Sequence, residues 1–112
     1  MLRLTARIDV STPDLYYDPR FRILIEQHLA DLKNYKGNTS LKVEPIDLDT
    51  FDGNLYGYLF SQRVPVSQHW IIMRMNGMDS TLDFNENHGT LILPYMENVD
   101  RLREIYNTVH KD

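Results

Sequence analysis

HWIIMRMNG (His69–Gly77) and GTLILPY (Gly89–Tyr95) are the stretches whose reading decides how this chain folds. In the first, Trp70, Ile71, Ile72, Met73 and Met75 leave little polar surface apart from Arg74, which predicts a short helix covered on most sides. Asn76-Gly77 then supplies residues that tolerate the left-handed backbone needed to end a helix. In the second, Thr90–Leu93 is a compact β-prone run, and Pro94 cannot donate a further ladder bond. Helical residues 67–77 and a strand over 89–93 are therefore expected.

Upstream, Val43–Leu48 with Leu41 reads as a second strand, confined by Pro45 to a sheet edge or a bulge. Asp52–Gln62 is helix-compatible, with Leu55, Tyr58 and Leu59 on one stripe and Gly57 inside it at a cost of about 1 kcal/mol relative to alanine. Val64-Pro65-Val66 is the bend, and Ser67 a cap for the Trp70 helix. The order is strand, helix, helix, strand, an α+β unit over residues 43–96 whose strands 41–48 and 89–93 pair antiparallel.

Residues 1–42 form an N-terminal extension. Leu2, Leu4, Ala6, Ile8 and Val10 alternate with Arg3, Thr5, Arg7 and Asp9, the period of a strand with one buried face. Such a strand needs a sheet, either as an added edge of the 41–48/90–93 pair or as strands from another subunit. Ser11–Asp18, with Tyr16-Tyr17, reads as an ordered loop. Asp18 can cap a helix whose first position is Pro19. Phe21, Leu24, Ile25, His28, Leu29 and Leu32 then give an amphipathic helix to Tyr35, ended by Gly37-Asn38. Residues 97–112 form a C-terminal helix capped by Asn98, with Val99, Leu102, Ile105, Tyr106 and Val109 on one face. The three segments together make one compact domain.

Composition narrows the function. The chain has 112 residues, enough for one modest core, and its 42% hydrophobic and 25% charged content is that of a soluble globular protein. A formal charge of −4 argues against general nucleic-acid binding. No apolar run approaches the roughly 20 residues of a membrane span, and Met1–Val10 alternates rather than forming a signal peptide's apolar run. Without cysteine there are no disulfides or thiolate metal sites.

Chemical constellations are weighed against plainer readings. Asp47, Asp49, Asp52 and Gly53 suggest a calcium loop, but Phe51 stands fifth and Tyr58 twelfth where ligands belong. These aspartates read instead as favouring a helix N-terminus. Asp83, Asn85, Glu86 and Asn87 fail similarly, with Pro94 twelfth, and read as a solvated loop tip. No two of His28, His69, His88 and His110 stand at i, i+4 metal spacing. Ser61, Ser67 and Ser80 lack a nucleophile-elbow frame. No catalytic, cofactor or metal residue is assigned, and a small-molecule ligand is not expected. Trp70 could stack on a sugar, but its apolar neighbours point to core. Met73, Met75, Met78 and Met96 read as gap-fillers. Tyr16-Tyr17 followed by Arg20 is the best interface candidate, joined by Leu4 and Ile8 of the alternating strand.

The order and the wording together resemble the LysM-like domain of phage tail proteins, above all baseplate wedge proteins of contractile-tailed phages. In that family a helix ending Trp-hydrophobic-hydrophobic-x-Arg-Met-Asn-Gly precedes an apolar strand that opens on Gly-Thr and closes on proline. Trp70, Arg74, Met75, Asn76, Gly77, Gly89, Thr90 and Pro94 match it, over about half the chain. Arg63-Val64 stands where the family usually has Tyr-Gly, and Met78–His88 is longer than the usual connection. The resemblance implies a β-α-α-β fold with Trp70, Ile71, Met75, Gly77, Gly89 and Pro94 as structural core. It implies a virion component made in the host cytoplasm: a non-enzymatic baseplate wedge protein holding neighbouring tail subunits together by protein–protein contacts. The alternatives are a carbohydrate-binding LysM module recognising peptidoglycan, and a cytoplasmic phage-encoded adaptor.

Overall fold

The computed structural model of the chain describes residues 18–109. Its elements run α1 (Pro19–Gln27), α2 (Leu29–Asn34), β1 (Thr39–Lys42), α3 (Pro45–Thr50), α4 (Leu55–Ser61), α5 (His69–Met75), β2 (Thr90–Leu93) and α6 (Met96–Val109), with single 3-10 turns at Val66–Gln68 and Thr81–Asp83. The fold is α+β, and β1 and β2 pair antiparallel with Leu41 opposite Leu91. Met1–Asp18 expectations on the strand and the tyrosine loop lie outside the described residues, Asp18 itself excepted.

α5 is the wall between two apolar clusters. Ile71 and Met75 pack with Phe21 and Ile25 of α1, Leu32 of α2, and Val99, Leu102 and Tyr106 of α6. Ile72 and Met73 pack with Val43, Leu55, Tyr58, Leu59, Phe84 and Leu91 on the other side. A seven-residue helix buried on both flanks has almost no wet face, which is what its composition demands. Ile71, Ile72 and Met75 are all 0% exposed.

Two side chains, Asn76 and Arg74, lock this wall in place, and a third, Asn38, ties α2 to the chain just after β2. The register puts Val43 opposite Gly89, and the Val43 amide donates to the Gly89 carbonyl at 2.9 Å. Ladder bonds alternate along an antiparallel pair, so Leu41/Leu91 is also a bonded pair and Ile92 turns its peptide groups away from β1. Asn76, at the end of α5, meets them there. Its Oδ1 accepts from Ile92 N (2.8 Å), while Nδ2 donates to Ile92 O (2.9 Å) and to Ile72 O (2.7 Å). One amide thus replaces a neighbouring strand and joins α5 to the sheet. Asn38 does the same at the other corner, donating to Leu32 O at 2.7 Å and accepting from Tyr95 N at 2.9 Å. Arg74 ties α5 to α1: its guanidinium grips Glu26 at 2.6 and 3.2 Å and donates to Asp79 at 2.6 Å. These bonds, Glu26's first, raise the Arg74 pKa.

Both inner helices end in a Schellman motif. After α5, Gly77 at φ +78° donates to Arg74 O and the buried Met78 to Met73 O. After α4, Arg63 donates to Phe60 O and Val64 to Leu59 O, with Arg63 itself at φ 63°. Arg63 therefore fills the left-handed position for which glycine is suited.

The structure corrects several expectations. The strand is 39–42, not 43–48, because Pro45 starts helix α3 rather than a sheet edge. The 19–35 helix breaks at His28: its Nδ1–H donates to Leu24 O at 3.0 Å, and the His28 amide turns to Ile25 O instead. α4 starts at Leu55 behind Asn54, whose Oδ1 accepts from Gly57 N at 3.0 Å. A Cβ on Gly57 would come within 2.4 Å of that capping amide, so the glycine makes room for the cap. The Trp70 helix is α-helical only from His69, with no side-chain bond from Ser67 or Gln68 at its start. α6 begins at Met96 rather than at Asn98. Among the expected core residues, Ile71, Met75 and Pro94 are buried, Trp70 and Gly89 are half-buried, and Gly77 is exposed, serving the turn rather than the core.

Two predictions follow from this geometry. Asn76→Ala strands two half-buried backbone groups of Ile92, so urea unfolding should show a loss of about 2–3 kcal/mol; a loss under about 0.5 kcal/mol would mean that the clamp does not hold the sheet. Arg63→Gly removes a left-handed strain of about 1–2 kcal/mol against a glycine entropy cost of roughly half that. The variant should melt above wild type, whereas Gly77→Ala should melt below it.

Candidate interaction face and the histidine corner

With the apolar stripes of α1, α2 and α6 turned onto α5, the outer side of these three helices is the surface left over. It is not polar. Ile23 is 57% exposed, Tyr35 44%, Ile105 44% and Val109 70%. Placing Ile105 and Val109 on the buried face of α6 is therefore wrong: only Val99, Leu102 and Tyr106 point inward, and the stripe is wider than the surface that α1 and α5 offer.

Ile105 borders several grooves, two of them between α6 and the helices α1 and α2. One, of about 370 Å³, has Leu32 and Leu102 in its floor and His28, Asp31, Tyr35 and Arg101 on its rim. The other, of about 180 Å³, runs between Ile23 and Leu24 of α1 and Ile105 and Val109 of α6. The grooves thus have apolar ground beside charges of both signs. Their donors and acceptors can meet a partner's backbone and side chains.

Arg20, the sequence-predicted interface residue within the described part, stands at the edge of this face. Its guanidinium reaches Asp18 at 3.4 Å and lies 6.0 Å from the centre of the Tyr106 ring. The Tyr106 hydroxyl donates to Asp18 and, with the Arg20 amide, holds that carboxyl below its ordinary pKa. Burial, then Asp18, pushes the Tyr106 hydroxyl up. Leu4, Ile8, Tyr16 and Tyr17 lie outside the described residues.

Trp70 packs against both clusters, and Arg22 sits 4.6 Å from the centre of its ring. The ring face that a sugar would stack on is taken by a guanidinium. Phe84, in the stretch read as a solvated loop tip, is fully buried, stacked between Tyr58 at 5.7 Å and His88 at 5.8 Å. The signal for it was Ser80-Thr-Leu-Asp83, which forms a capping box and orders the loop. The aspartates 47, 49 and 52 are spread along α3 and the turn after it. Among the described residues no three His, Asp or Glu side chains gather as metal ligands. No helix among them is long and apolar enough to cross a membrane.

Among the described residues His69 is a buried histidine, 4% exposed at the corner between α4 and α5. Its Nε2–H donates to Val64 O at 2.8 Å, and its ring lies 5.5 Å from Tyr56. Burial lowers its pKa below the ordinary 6.5.

No known protein family, curated protein or solved structure matches the chain.

Since His69 binds its proton more weakly folded than unfolded, its contribution to stability is complete above about pH 6.5 and is lost as pH falls toward the folded pKa. Melting temperature should decline over that window, before the acid region where Asp18 titrates. His69→Gln keeps a donor and cannot titrate, so it should flatten the decline. An unchanged slope would place the titrating group elsewhere.

Proposed function

We propose that this chain is a structural assembly protein, working through the α1–α2–α6 face, and that its assembly is the baseplate of a contractile phage tail. The observation that carries the reading is the exposed stripe of Ile23, Ile105 and Val109 beside a charge-rimmed groove. Supporting the phage assignment are the Trp70–Gly77 and Gly89–Pro94 phrases and the antiparallel strands, although these enclose three helices where a β-α-α-β unit has two. In this role the protein is a wedge component of the virion, holding neighbouring subunits by protein contacts and catalysing nothing. A rigid two-core body with an apolar outer face suits a part that is clamped between others.

The test uses the face itself. Ile105→Glu combined with Val109→Glu alters two exposed residues and should leave stability within about 0.5 kcal/mol of wild type. The same variant should fail to enter tail particles assembled with the other tail proteins. Incorporation at the wild-type level would remove this face from assembly. Insoluble peptidoglycan should not sediment the wild-type protein. Saturable sedimentation, competed by soluble N-acetylglucosamine oligomers, would reverse the reading in favour of a carbohydrate-binding module.

A further inference from the structure

Among the described residues the two-stranded sheet has one closed edge and one open edge. β2 is closed at Ile92, where Asn76 satisfies both peptide groups. The alternation that turns Ile92 away from β1 also turns the N–H and C=O of Ser40 and Lys42 away from β2, because Ser40 pairs with Ile92 and Lys42 with Thr90. No turn, loop or side-chain hydrogen bond among the described residues reaches these groups. Ser40 and Lys42 are exposed, and no proline interrupts β1. This is an acceptor edge for an added strand.

We propose that the acceptor edge of β1 is filled by the chain's own segment Leu2–Val10, as a third strand of the sheet. The alternation of Leu2, Leu4, Ala6, Ile8 and Val10 with Arg3, Thr5, Arg7 and Asp9 is the pattern of a strand with one covered face. Such a pattern needs a sheet edge, since a helical groove would cover its apolar side chains but leave its peptide groups unpaired. Among the described residues β1 offers that edge.

The distances allow it. Asp18 is held by Tyr106 near the end of α6, and Asn38, just before β1, is held by Tyr95 just before its start. α6 has 14 residues, about 21 Å at about 1.5 Å per residue. Residues 11–17 can span about 23 Å when extended, at about 3.3 Å each. The linker is thus about as long as the helix beside which it would run, and the proposal places the strand on its own molecule rather than on a second copy. A two-stranded sheet is marginal alone, and a third strand would also give the polar side chains of the segment the solvent face that Ser40 and Lys42 already occupy.

The chain has no cysteine, so introduced pairs report cleanly. In the full-length protein, Ser40→Cys is combined in turn with Arg3→Cys, Thr5→Cys, Arg7→Cys and Asp9→Cys, the polar-face positions of the segment. At least one pair should form a disulfide within a monomer on mild oxidation. In the wild type, the Ser40 and Lys42 amides should exchange at least about tenfold more slowly than open loop amides. Ala6→Pro should abolish that protection while the α5 amides stay protected, which separates loss of the strand from loss of the fold. Unprotected Ser40 and Lys42 amides in the wild type, protection that survives Ala6→Pro, or no disulfide in any pair would overturn the proposal. Disulfides formed only between two chains would overturn it too, assigning the edge to a second copy.

Discussion

The side chain of Asn76 is the point on which the architecture turns. It stands at the end of a helix and at the edge of a strand, and its amide fits both: the donor closes a helix carbonyl, and donor and acceptor together reproduce the hydrogen bonds of a missing strand. No other neutral side chain of that length offers both groups. With Asn76 in place, α5 cannot slide along β2, and Ile71 and Met75 must face one way while Ile72 and Met73 face the other. The two apolar clusters are then two sides of one helix. Arg74, two residues earlier, extends the same logic to α1 through Glu26.

This arrangement accounts for what the surface looks like. A wall seven residues long offers limited area, and α1, α2 and α6 share one side of it. Their stripes are wider than that side. Ile23, Ile105 and Val109 are what is left over, and a residue left over from one core is available to another molecule. The same economy shapes the sheet, where β2 lies between β1 and Asn76 while the outer edge of β1 meets none of the described residues.

What could be read directly from the sequence was local chemistry. Gly77 and Pro94 announced the ends of α5 and β2 because positive φ and a missing N–H are properties of single residues. The two-sided burial of α5 was legible from a run with almost no polar position. What depended on competition between distant or alternative partners was not legible. The break at His28 comes from an imidazole taking a carbonyl that the helix would have used, which no periodicity shows. The strand is 39–42 because its register on β2 decides it, and Pro45 serves a helix start as readily as a strand edge. Asp83, Asn85, Glu86 and Asn87 are exposed as read, but nothing local marked Phe84 between them as core, where Tyr58 supplies its stacking surface. The exposed apolar stripe was hidden for a related reason: helical spacing put Ile105 and Val109 with Leu102 and Tyr106, and only the width of the opposing surface separates them.

If α5 is a shared wall pinned to the sheet, the two clusters cannot open separately. Native-state hydrogen exchange across low denaturant concentrations tests this most directly, comparing amides of α1 and α6 in one cluster with those of α4 and β2 in the other. The account predicts that the slowest amides of both clusters, and those of Ile71, Ile72 and Met73 between them, converge on a single unfolding free energy with one denaturant dependence. Two distinct free energies, with α1 and α6 exchanging while α4, α5 and β2 stay protected, would contradict it.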